Sequence, residues 1–115
     1  MIVRRKALEP IAFDGLRIFD YTAGAKSDSS MAVIEVPSGA IHRESWSRRS
    51  GKYYLVISGQ IQFILDGDEF PLASGDFCFV EQGKRFSYRN DEPSTATLVL
   101  VHTPSFDIES EVFES

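Results

Sequence analysis

The chain has only two histidines, His42 and His102. They are the first places to look for acid–base or metal chemistry. In the triplet His42-Arg43-Glu44 a histidine and a carboxylate stand two apart, on one face if the segment is extended. Together with His102 they make a two-histidine, one-carboxylate set of the kind that holds a transition metal. The plainer reading leaves both histidines at the surface or rim of the fold, because spacing without context is weak support for a metal site. Period-two pairs supply other candidates: Lys52 shares a face with Tyr54, and Phe86 with Tyr88. A tyrosine or lysine moves protons at neutral pH only if its pKa is shifted. Cys78, the sole cysteine, lies in Phe-Cys-Phe-Val and reads as an inert, buried thiol. With no second cysteine, no internal disulfide can form.

The elements that must position these residues are short. Segments rich in Val, Ile, Phe and Tyr alternate with Gly, Pro, Asn and Asp, an all-β pattern. The predicted strands are 16–21, 31–36, 53–58, 60–65, 68–71, 77–80, 85–89 and 96–102, with a further one at 2–5. Gly59 marks a tight turn, Asp66-Gly67 a hairpin with positive φ at both central positions, and Ser74-Gly75-Asp76 and Asn90 to Ser94 further turns. Thr22 to Ser30 reads as a loop. No stretch keeps helical spacing long enough for a helix. Strands at this spacing suggest a sandwich or small barrel, filled with side chains or open for one ligand.

At 115 residues the whole of 1–115 is expected to be one domain. With 43% hydrophobic and 25% charged residues, the composition excludes a disordered chain, a collagen and a coiled coil. A net charge of -5 argues against a nucleic-acid partner. The longest apolar run, 53–57, is far too short for a bilayer, so no membrane partner is expected. Without a visible targeting segment, a cytoplasmic location follows by default.

Two stretches resemble the sequence motifs of the cupins. The first motif is Gly, five residues, His, any, His, three or four residues, Glu, six residues, Gly; the corresponding positions are Gly39, Ser45, Ser47, Lys52 and Gly59. The second supplies Gly75, Glu81, Gly83, Phe86 and Asn90. The resemblance implies a double-sheet jelly-roll β-barrel with a pocket between the sheets. It also implies a homodimer. The glycines and the asparagine are kept, but all four positions of the family's metal ligands are changed, to Ser45, Ser47, Lys52 and Phe86. Serine and phenylalanine are poor ligands for a transition metal and a protonated lysine repels one. The resemblance therefore implies a cupin without the standard metal centre, and no cofactor is expected.

If Lys52 points inward as the aligned glutamate would, it needs a partner, for which Glu81, Glu44 or a bound anion are the candidates. It otherwise reaches the barrel mouth and pairs there. Seven basic residues, Arg43, Arg48, Arg49, Lys52, Lys84, Arg85 and Arg89, fall in the two motifs, and a positive mouth would suit a carboxylate or phosphate. Trp46, Tyr54, Phe86 and Tyr88 either fill the barrel or line a pocket for a ring-shaped ligand. Phe63, Phe70, Phe77 and Phe79 are assigned to the core. The acidic tail 107–115 is expected to pack loosely or be solvated. The pocket candidates are thus Ser45, Trp46, Ser47, Arg48, Lys52, Tyr54, Glu81, Phe86 and Tyr88. The leading expectation is metal-independent binding of a small molecule, anionic or ring-shaped. An isomerase or epimerase using side-chain acids and bases is the alternative, and a metal enzyme at His42, Glu44 and His102 the third.

Overall fold

The computed structural model describes residues 1–114. It contains eleven strands and no α-helix among these residues. They are β1 (Ile11–Phe13), β2 (Leu16–Asp20), β3 (Ser30–Val36), β4 (Ile41–Ser47), β5 (Gly51–Ser58), β6 (Gln60–Leu65), β7 (Asp68–Ala73), β8 (Phe77–Val80), β9 (Phe86–Arg89), β10 (Ala96–Thr103) and β11 (Glu111–Phe113). A six-stranded sheet runs β1-β2-β3-β10-β5-β8 and a five-stranded sheet β11-β4-β9-β6-β7. All pairings are antiparallel. This is the double-sheet jelly roll, although the two sheets are not hydrogen-bonded into a closed barrel. Among the described residues no helix is long and apolar enough to cross a membrane.

The turns follow from their residues. Asp66 and Gly67 both have positive φ, 50° and 85°, as the β6–β7 hairpin demands. At Gly59 a Cβ would lie 2.7 Å from the Cα of Ala96, so only glycine lets β5 turn into β6 beneath β10. Asn90 ties the loop after β9: its amide donates to the carbonyls of Val36 and Ser94, and its side-chain oxygen accepts from the Glu92 N–H.

The core fills the space between the sheets. Alternation along β5 sends Lys52, Tyr54 and Val56 inward, and along β10 it sends Ala96, Leu98, Leu100 and His102 inward. Phe63, Phe86, Tyr88 and Ile61 meet them from the other sheet. Phe70, Phe77 and Phe79 differ from expectation. They are 48%, 56% and 41% exposed. On β8 the inward places fall to Cys78 and Val80, while Phe70 stands opposite the buried Phe63 but on the edge strand β7, where the core no longer covers it. Phe77 and Phe79 stand opposite Leu55 and Tyr53 on the outer face of the six-stranded sheet.

Three strands escaped the sequence pattern, β1, β4 and β11. The expected strand at 2–5 is absent, and a short 3-10 turn at Arg5–Ala7 follows instead. There the Arg5 guanidinium lies over the Phe19 ring. Most of the tail is not loose: Asp107 caps a second 3-10 turn, and Glu111–Phe113 pairs with Ser45–Ser47 of β4. Ser115 lies outside the described residues.

Candidate functional site

A cavity of about 210 Å³ opens between the sheets. This is more than an ion or a single water requires. Ile11, Met31, Phe106 and Ile108 line it while remaining partly exposed, which makes them its mouth. Most of the wall is apolar; Asp20 and Ser30 also line it, and the other polar groups collect in two places.

The first is His42 with Tyr54 and Tyr88. His42 stands opposite Tyr88 across β4 and β9, and its ring lies 4.9 Å from that of Tyr88 and 5.2 Å from that of Phe86. Its Nδ1 donates to the Arg43 carbonyl at 2.7 Å. The carbonyl can only accept, so Nδ1 carries the proton and Nε2 does not. Burial lowers the pKa of His42 to about 4. Tyr54 and Tyr88 meet edge to face at 5.7 Å. Burial pushes both phenols above their usual range, so they stay protonated. The buried Tyr88 hydroxyl has no hydrogen-bond partner.

The second place is built on Lys52. Its Nζ donates to Glu111 Oε1 at 2.5 Å and to His102 Nε2 at 2.7 Å. His102 faces Lys52 directly across β10 and β5. Burial, and then the Lys52 charge, lower the pKa of His102 to about 3, so its Nε2 is free to accept. Burial also lowers the pKa of Lys52, opposed by the Glu111 carboxylate. The side chains of Lys52 and Glu111 are 4% and 3% exposed, and Glu111 Oε2 has no partner.

Of the nine pocket candidates, Lys52, Tyr54 and Tyr88 line the cavity. Ser45, Ser47 and Phe86 are buried beside it. Ser47 accepts from the Arg49 and Ser50 amides. Trp46, Arg48 and Glu81 do not join. Trp46 takes the outward place between Ser45 and Ser47, with the Arg48 guanidinium over its ring, and Glu81 is exposed after β8.

The partner of Lys52 is neither Glu44 nor Glu81 but Glu111, which sequence reasoning left in the solvated tail. The positive mouth does not form either. Arg43 pairs with Asp14, Lys84 with Asp66, Arg85 with Glu114, and Arg89 with Glu69 and Asp91, all outside the cavity.

The metal set His42, Glu44 and His102 does not assemble. The β4–β9 register shifts between His42 and Ser45, so both point inward and Glu44 is left exposed. His102 Nε2 is taken by Lys52. Among the described residues no cluster of three or more His, Cys, Asp or Glu side chains could hold a metal ion. Nor do the family's ligand positions fit one. Ser45, Ser47, Lys52 and Phe86 are all buried there, and the lysine ammonium, 5.5 Å from the Phe86 ring centre, would repel a cation.

Among curated proteins none matches the chain. Among solved structures, Pac13, a nucleoside dehydratase from Streptomyces, is 23% identical with a TM-score of 0.86, over 99% of this chain and 90% of that one. That protein has also been solved with uridine after a histidine was replaced by glutamine, or one or another tyrosine by phenylalanine. A predicted oxalate decarboxylase from Thermotoga maritima is 18% identical with a TM-score of 0.81, over 90% of this chain and 99% of that one. A cupin-superfamily sugar phosphate isomerase from Silicibacter pomeroyi is 18% identical with a TM-score of 0.76, over 90% and 75%. The family model described as "Cupin domain" matches residues 32–102, more than half of the sequence and the stretch that holds His42, Lys52, Tyr54, Tyr88 and His102. The jelly roll, the retained turn residues and this match together make the chain a member of the cupin family.

Proposed function

We propose that this cupin is an acid–base enzyme that eliminates water from a hydroxylated, ring-bearing small molecule of nucleoside type. The observation that carries the reading is His42: buried, neutral, its Nδ1–H spent on a backbone carbonyl, its unprotonated Nε2 left beside an unpartnered tyrosine at the cavity wall. Such a nitrogen takes a proton from a carbon made acidic by a neighbouring carbonyl. The electron pair moves toward that carbonyl, whose oxygen the Tyr88 hydroxyl is free to stabilise by donating to it. The imidazolium then returns the proton to the hydroxyl leaving from the next carbon, and water departs. One C–H and one C–O bond break, a C=C bond forms, and His42 ends as it began. Its lowered pKa weakens it as a base but makes its conjugate acid effective in the second half.

The likeness to the Streptomyces nucleoside dehydratase supports this reading, because one histidine and two tyrosines are the residue types altered there and the types gathered here. The test is incubation with nucleosides oxidised to a β-hydroxy carbonyl in the sugar, followed by mass spectrometry. Loss of one water, abolished in His42→Gln, is the expected result. Exchange of a carbon-bound proton with D2O without loss of water would reassign the site to an isomerase or epimerase. Ligand binding with neither outcome would leave a binding protein.

A further inference from the structure

Resting on that reading of the cavity, we propose that Lys52 and Glu111 recognise a neutral heterocycle by an edge that sets an N–H donor beside a carbonyl acceptor, as in a lactam or imide. An ammonium has three N–H donors. Lys52 uses one on Glu111 Oε1 and one on His102 Nε2, which leaves one uncommitted. Glu111 Oε2 is buried without a partner, and both residues line the cavity. A buried carboxylate oxygen is costly to leave unpaired. Here it stands next to a spare donor, the complement of a ligand edge that donates and accepts side by side.

Charge decides against an anion. The lysine and the glutamate cancel, Asp20 adds a second carboxylate to the lining, and no arginine lines the cavity, so a phosphate or carboxylate would lose its hydration for no net attraction. The surrounding wall decides against a polyol. The Phe106 ring lies 5.1 Å from that of His102, and Ile108 and Phe113 also line the cavity. Hydroxyls buried against these side chains would go unpaired, whereas a flat ring covers them. The pair lies farther along β4 than His42, since Glu111 is opposite Ser47. The ring of a two-part ligand can therefore rest at Lys52 while its hydroxylated part reaches His42.

The experiment is a calorimetric titration of the full chain with uridine, N3-methyluridine, uridine monophosphate and ribose. Uridine presents an imide edge, and methylation removes its donor. Uridine is expected to bind about tenfold or more tighter than N3-methyluridine, the size of a hydrogen bond to a charged group. The double variant Lys52→Met with Glu111→Leu removes both charges together and leaves neither one stranded. It is expected to bind the two nucleosides alike, within about twofold. Equal binding of the two by the unaltered protein overturns the inference, as does preference for the monophosphate, ribose binding as tightly as uridine, or no binding by any of the four. Discrimination at N3 without any loss of water from a substrate would sink the dehydratase reading and leave this recognition standing.

Discussion

His42 and His102 share one cavity, are both buried and are both held neutral, yet their surroundings leave them different freedoms. His42 spends its N–H on a carbonyl of its own strand and keeps a lone pair for the cavity. His102 spends its lone pair on Lys52. Which ring nitrogen is occupied, more than depth or pKa, separates the two, and under the proposed reaction it makes His42 the proton carrier and His102 the support. The sharpest way to break this comparison is to replace each histidine by glutamine. His42→Gln is expected to lower turnover about 10²–10⁴-fold with ligand binding retained, and His102→Gln far less. Equal losses in kcat would show that the two nitrogens are not distinguished in this way.

The next largest effect concerns the support. Glu111→Ala strands the Lys52 ammonium in the core and is expected to cost about 3–5 kcal/mol in denaturant unfolding, whereas the Lys52→Met/Glu111→Leu double variant stays near the unaltered protein or above it. A smaller effect is linked to pH. Both histidines have folded pKa values below the 6.5 of the free side chain, about 4 and about 3. The unfolded chain therefore binds more protons between these limits. Their contribution to stability is complete above 6.5 and is lost as pH falls toward 4 and below. Thermal unfolding between neutral pH and pH 4 should show it, with a shallower fall in His42→Gln. Smallest of all, Arg48→Ala and Glu81→Ala, both outside the cavity, should leave uridine affinity unchanged within about twofold.

Much of the frame was legible because it is written locally. Gly59, Asp66-Gly67 and Asn90 are turn residues whose types signal the turn locally, even though Gly59 also makes room for Ala96 and Asn90 also reaches Val36. Period two placed Lys52 with Tyr54 and Phe86 with Tyr88 on the inward face. What escaped is not local. One irregular register between His42 and Ser45 turns Glu44 outward, and no periodic pattern announces it. Glu111 sits in an acidic tail whose composition matches solvated surface, and its partner is 59 residues away in sequence. The free Nε2 of His42 depends on a backbone carbonyl, which residue types do not encode. Phe77 and Phe79 read as core by type, yet the edge strand β8 turns them out.

The separation of Lys52 from Glu111 also sets an order of events during synthesis. Lys52 leaves the ribosome well before the strand that neutralises it. Until β11 docks on β4, the ammonium must remain in water or lie in a half-built core without its counter-charge, and either keeps the sheets from closing over the cavity. Closing so long a loop carries its own entropic cost. β11 is therefore the latch of the fold: its arrival brings Glu111 to Lys52 and completes the cavity wall in one step.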